Sequence, residues 1–192
     1  MFLARKRSFD LEVVLDQIMI YFWQYGFRKT GFRELTTATG IKTQSLYNAY
    51  GSKDQLYYQA LTHYVNITNQ CADQILQGEQ TADQRLANLL ILDWGNRPYP
   101  PGCMVISSLS EFDQIDPKLH EVANTLFDHL TSSFMTVLNT MQADLRPDLE
   151  LSAIAAELLT LHNGIQVAVR DNPDPEIIKM ITATAIQSIK KV

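Results

Sequence analysis

From about position 10 onward, large apolar residues recur three and four places apart, and no segment sustains the alternation of a half-buried strand. The pattern predicts an all-α protein. A first helix is expected from Ser8, as N-cap with Asp10 and Glu12 in the opening turn, to a stop at Gly26. Val14, Leu15, Ile18, Met19 and Phe22 form its apolar stripe. Two short segments follow. Phe32 to Thr39 turns Phe32, Leu35 and Thr36 or Thr39 inward and ends at Gly40; Thr43 to Tyr50 ends at Gly51. A fourth helix starts at Ser52, where Gln55 three places on completes a capping box.

Further along, TADQRLANLLILDWGN predicts a helix ending near Trp94, and the prolines of NRPYPPG interrupt it. A segment from Cys103 to Phe112 precedes a new start at Asp116-Pro117, whose helix is expected to run to about Asp144 before Arg146-Pro147-Asp148 breaks it. The last two helices lie in LELSAIAAELLTLHNGIQVAV and EIIKMITATAIQSIKK. Both carry more apolar surface than one exposed amphipathic helix needs, so the excess is expected to face another chain.

Composition narrows the picture further. In 192 residues, 46% are apolar and 19% charged, which fits a folded globular protein. MFLARKRSFD has no apolar core of a signal peptide, and no run approaches the roughly 18 apolar residues of a membrane span, so a cytoplasmic protein without a membrane partner is expected. Cys71 and Cys103 stand far apart with no metal-ligand spacing, which makes free thiols the expectation. The net charge of −5 is unevenly distributed: residues 1–53 hold eight Lys or Arg against four Asp or Glu, and the rest of the chain is strongly acidic. A basic head on an acidic body suits a polyanion.

Within the head, the segment from Phe32 to Tyr50 has the size and punctuation of a helix-turn-helix. In that motif the second helix enters the major groove and its N-terminal residues meet base edges. Leu46, Ala49 and Tyr50 share an inward face of this helix, Thr43, Gln44, Tyr47 and Asn48 the outer one, and Ser45 the boundary. Gln and Asn can pair with adenine, and Thr and Ser are short-range partners for several bases. Tyr47, Lys53 and the helix-start N–H groups suit phosphates.

The stretch YFWQYGFRKTGFRELTTATGIKTQSLYNAYGSKDQL resembles the TetR family of one-component transcriptional repressors. Phe22, Gly26-Phe27, Thr30, Leu35, Gly40, Leu46-Tyr47 and Ser52-Lys53 carry the likeness, which covers about residues 8 to 60. The resemblance implies about nine helices and a head over residues 1–51. A ligand-binding and dimerisation body follows over 52–192, and a homodimer forms through a four-helix bundle of the last two helices. It further implies a palindromic DNA operator, and a DNA-contacting set of Thr30, Lys42, Thr43, Gln44, Ser45, Tyr47, Asn48 and Lys53. Three positions depart from the family. Gly31 stands where Ser usually caps the second helix, although Glu34 can still reach back. Lys42 replaces a small polar residue, passing the capping role to Thr43, and Ala49 replaces a frequent aromatic. Arg5, Lys6 and Arg7 form either an arm towards the DNA or a solvated terminus.

In the family the body binds an effector that changes the spacing of the heads, but the sequence does not identify that molecule. Tyr64, Trp94, Cys103, Phe112, Phe127 and His162 are the candidate ligand contacts; each also fits an ordinary core position. Cys103, near a helix start after PPG, has an alternative as a thiol sensor of oxidants or electrophiles, since a helix N-terminus favours the thiolate. No metal or cofactor is expected. None of His63, His120, His129 and His162 follows a Glu by three places, and His120-Glu121 lacks the second His of HExxH because Asn124 stands there. An enzyme is therefore disfavoured; a helical interaction protein without DNA binding is the remaining alternative.

Overall fold

The computed structural model describes residues 9–92, 94, 97–112, 116–171 and 173–191. Among these there are nine α-helices and no named strand. They group into two compact units, residues 1–64 and 65–192.

The N-terminal unit contains α1 (Leu11–Tyr25), α2 (Phe32–Thr39), α3 (Thr43–Tyr50) and the opening of α4 (Lys53–Gln77). Packing thus divides the chain inside α4, after Tyr64, rather than at the expected 51/52 boundary. The reason is a group of aromatic contacts between α1 and the first turns of α4. Phe22 meets Tyr57 edge to face at 5.0 Å, and Trp23 meets Tyr64 likewise at 4.9 Å. His63 Nε2 also lies 3.5 Å from Asp16 Oδ1. The expected stripe of α1 holds at Val14, Ile18, Met19 and Phe22, whereas Leu15 is half-buried and Trp23 joins the core instead.

The cap of α1 is Asp10, whose carboxylate accepts from the N–H groups of Glu12 and Val13; the expected cap, Ser8, lies outside the described residues, as do Arg5, Lys6 and Arg7. Asp10 directly precedes the first helical residue, Leu11, which puts its carboxylate beside the first unsatisfied N–H groups. At α4 the expected capping box forms: Ser52 N–H donates to Gln55 Oε1 at 2.8 Å and Gln55 N–H to Ser52 Oγ at 3.2 Å.

The C-terminal unit holds the rest of α4 with α5 (Ala82–Ile91), α6 (Met104–Glu111), α7 (Pro117–Thr140), α8 (Leu151–Ala168) and α9 (Pro175–Ser188). Its centre is the packing of α7 on α8, with α5 against both. Leu126, Leu130 and Phe134 of α7, Ala155 and Leu158 of α8, and Leu86, Leu89 and Leu90 of α5 are buried there. Each fully buried Leu or Phe contributes roughly 1.5–3 kcal/mol.

Two ends differ from expectation. Helix α7 stops at Thr140 and a 3₁₀ turn takes Gln142–Asp144. Helix α5 stops at Ile91 rather than near Trp94, because Leu92 turns left-handed with φ 45°. Two side chains of α8 then take the carbonyls that this ending leaves open. His162 Nδ1 lies 3.0 Å from the Leu90 oxygen, and Gln166 Nε2 donates to Ile91 O at 2.9 Å.

Candidate nucleic-acid interface

Helix α3 is eight residues long and too short to be stable by itself, so its packing fixes it. Leu46 is fully buried and Tyr50 nearly so, and the Tyr50 hydroxyl donates to the Leu11 carbonyl at 2.7 Å. Gln59 of α4 donates to the Tyr50 carbonyl at 2.8 Å, which ties the end of α3 to the next helix. Thr43, Gln44, Tyr47 and Asn48 are consequently exposed along one face, with Ser45 and Ala49 half-buried at its edges. The outer face expected from the spacing is the one observed.

Two glycines set the angles at which α3 enters and leaves. Gly40 closes α2 in the left-handed conformation, φ 71° and ψ 2°, and gives its N–H to the Thr36 carbonyl at 2.9 Å. Gly51 closes α3 at φ 86° and ψ −145°, a region open in practice to glycine alone, and a Cβ there would stand 2.0 Å from Gln55 Oε1.

Within the exposed face the side chains are linked. Gln44 Nε2 donates to Asn48 Oδ1 at 3.0 Å, and Thr43 shares a hydrogen bond of 3.0 Å with Thr36 of α2. Phe32, expected to point inward, instead stacks on the Tyr47 ring with centroids 3.9 Å apart. Both Phe32 and Thr36 were absent from the sequence-derived site, because their contribution depends on how α2 crosses α3. Lys53, in the first turn of α4, lies with its Nζ 4.1 Å from the centre of the Phe27 ring, which holds the ammonium on the head.

Two expectations about the head are corrected. Thr30 is buried, and its hydroxyl donates to the Gly26 carbonyl at 2.7 Å, so its side chain secures the α1–α2 turn rather than a phosphate. Thr43 does not cap α3: Lys42 is the N-cap residue without a side-chain bond, and the Thr43 hydroxyl is turned to Thr36. The Ser45 N–H already donates to the Lys42 carbonyl at 2.8 Å, and the start of α3 has no side-chain cap from Lys42. At α2 the missing Ser is compensated as expected, since Glu34 Oε2 accepts the Gly31 N–H at 3.0 Å.

The candidate ligand contacts are dispersed. Tyr64 belongs to the N-terminal unit, on Trp23. Trp94 packs edge to face with Tyr99 at 5.4 Å, Phe112 closes α6 as its C-cap, and Phe127 is half-buried on α7. Cys103 is the N-cap residue of α6 and is buried, with 2% of its surface exposed, so a reagent meets the thiol only after the surrounding chain moves. His162 is also buried; loss of solvation pushes its pKa down to about 4, partly opposed by the backbone oxygens at the end of α5. At neutral pH it is an uncharged ring bonded to the end of α5. Two grooves formed by described residues lie elsewhere, about 670 Å³ between α8 and α9 and about 380 Å³ between α5 and α9. Neither is lined by any of these six residues.

Among the described residues no three His, Cys, Asp or Glu are grouped to hold a metal ion, and no helix is long and apolar enough to cross a membrane. Residues 14–60, which include all of α2 and α3, match the family model for bacterial regulatory proteins, tetR family. Over nearly the whole chain the sequence is 23% identical to the HTH-type transcriptional repressor ComR of Escherichia coli (strain K12), covering 96% of this chain and 90% of that one. The repressor BdcR of the same organism is also 23% identical, over 98% and 93%. The fold is that of the TetR family transcriptional regulator CifR, solved as a cysteine mutant complexed with 26-bp double-strand operator DNA. That match has a TM-score of 0.76 and 23% identity and covers 97% of this chain and all of that one. The chain thus carries the helix-turn-helix head of the tetR family at residues 14–60, and nearly its full length aligns with transcriptional regulators of that kind.

Proposed function

We propose that the chain is a transcriptional repressor that binds a palindromic operator as a homodimer and leaves it when a small molecule occupies the C-terminal body. The observation that carries this reading is the two-sided build of α3. Leu46 and Tyr50 hold it to the head, while Thr43, Gln44, Tyr47 and Asn48 are exposed together beside an uncapped helix start. Lys42 and Lys53 add positive charge at either end of that face. The names of ComR and BdcR as repressors and the operator complex of CifR support the same direction.

The dimer reading rests on α8 and α9, which expose Val167, Ile177, Met180 and Ile181 on a chain that otherwise buries most of its large apolar side chains. An isologous pairing of these helices would give the four-helix bundle and the two-fold symmetry that a palindrome requires. Release by an effector requires that it bind the DNA-free state more tightly than the DNA-bound one, because only differential affinity shifts the equilibrium. The setting of this activity is the cytoplasm, where operator DNA is accessible.

Binding of the purified protein to duplex DNA from its own promoter region, measured across salt, tests the reading. Affinity should fall steeply and linearly with log salt as phosphate counterions are displaced. A flat salt response, or no binding above that of unrelated duplex, would eliminate it.

A further inference from the structure

Gln44 and Asn48 stand one helical turn apart, both exposed, and are joined by the bond from Gln44 Nε2 to Asn48 Oδ1. A primary amide offers one carbonyl oxygen and two N–H groups. The bond takes one N–H from Gln44 and the carbonyl of Asn48. Gln44 therefore keeps a carbonyl beside one N–H, and Asn48 keeps its NH₂. Exchanging nitrogen and oxygen in both amides gives the same result with the residues reversed: one amide always retains an acceptor beside a donor.

Adenine presents an N6 donor beside the N7 acceptor in the major groove; guanine presents two acceptors at O6 and N7. An acceptor beside a donor matches adenine. Against guanine the carbonyl would face O6 with no hydrogen between them, and an unmade bond at a desolvated contact is costly. A solitary glutamine could turn its amide alone to give guanine a donor, but Gln44 keeps its bond to Asn48 only if both amides turn together, and one of the two then still offers an acceptor beside a donor. The rest of the exposed α3 face has no arginine, the commonest reader of guanine, and the nearest cation, Lys42, precedes the helix.

We infer that Gln44 and Asn48 act as one specificity-determining unit that selects an A·T pair, read at adenine, in each half-site of the operator. Asn48 is a positioning residue for Gln44 as much as a contact. The inference rests on α3 entering the major groove, as in the proposed function.

The test is selection by the full-length protein from a duplex library with randomised base pairs, followed by sequencing. The wild type should enrich A·T over G·C by about tenfold or more at one position in each of two symmetric half-sites. Gln44→Ala and Asn48→Ala should both flatten the preference at that same position. Gln44→Arg, which replaces the carbonyl with donors, should move it towards guanine. A wild-type preference for G·C there, or flattening of two unrelated positions by the two alanine variants, overturns the inference and leaves the repressor reading intact. A library from which nothing is enriched overturns both.

Discussion

Phe32 lies against Tyr47 with the two ring planes 22° from parallel, so the phenol of the recognition helix is held by a residue from the helix before it. An exposed tyrosine loses side-chain entropy when it binds a phosphate, and a ring already held loses less. Tyr47→Phe should weaken binding to every duplex by roughly fivefold while leaving sequence preference unchanged. Phe32→Ala should do the same to a similar extent. In a double-mutant cycle read by fluorescence anisotropy, the two losses should fall short of additive by roughly 0.5–1 kcal/mol. Strict additivity would mean that Phe32 does not act through Tyr47.

Gly40 and Gly51 both have positive φ but should respond differently to alanine. At Gly40 a Cβ meets nothing within 4 Å, so the cost is the left-handed conformation alone, roughly 1–2 kcal/mol. At Gly51 the Cβ would drive Gln55 from its cap on Ser52, adding the loss of a capping bond of about 1 kcal/mol to a harsher backbone strain. Urea unfolding at one fixed protein concentration should therefore rank Gly51→Ala clearly below Gly40→Ala. Equal midpoints would contradict the strain argument.

His162 makes stability depend on pH in a defined window. Its folded-state pKa, about 4, lies below the ordinary 6.5, so the unfolded chain takes up the proton first as pH falls. Stability is complete above about pH 6.5 and is lost progressively down to about pH 4, by about 3 kcal/mol from this ring. His162→Gln keeps a donor for the Leu90 carbonyl but cannot titrate. Its stability should decline less than that of the wild type over this interval in parallel denaturation series, and parallel declines would disprove the assignment.

Met180 has 64% of its surface exposed, the largest fraction among the large apolar residues of α9. Met180→Asp should leave the single chain stable to within about 0.5 kcal/mol, since the residue touches little within it. In the proposed dimer it would put a carboxylate into each side of an apolar interface. Light scattering after size exclusion should then report a monomer where the wild type is a dimer, and affinity for a two-half-site duplex should fall by roughly 10²-fold or more.

The head was largely legible in the sequence because its information is local. Gly26, Gly40 and Gly51 mark helix ends through backbone geometry, and Leu46 and Tyr50 mark a buried face through spacing. Most of what the sequence misplaced depends on contacts across helices. Thr43 turned to Thr36 and Phe32 found Tyr47, neither of which spacing within one helix can specify, while Thr30 turned back onto Gly26 within the α1–α2 turn. The helices of the body were equally readable, but a binding site there needs side chains from several helices to converge. His162 illustrates the difficulty: its partner, the end of α5, lies 72 positions earlier in the chain.

The side chains of Gln44 and Asn48 bond to each other, while α3 is anchored by Leu46, Tyr50 and the hydrogen bond from Gln59. Stability and sequence reading are thereby assigned to different residues of the same eight-residue helix. Substitutions at the two amides can accumulate under selection for a new operator with little change in folding, so target sites can diverge among proteins that share this head far faster than the head itself.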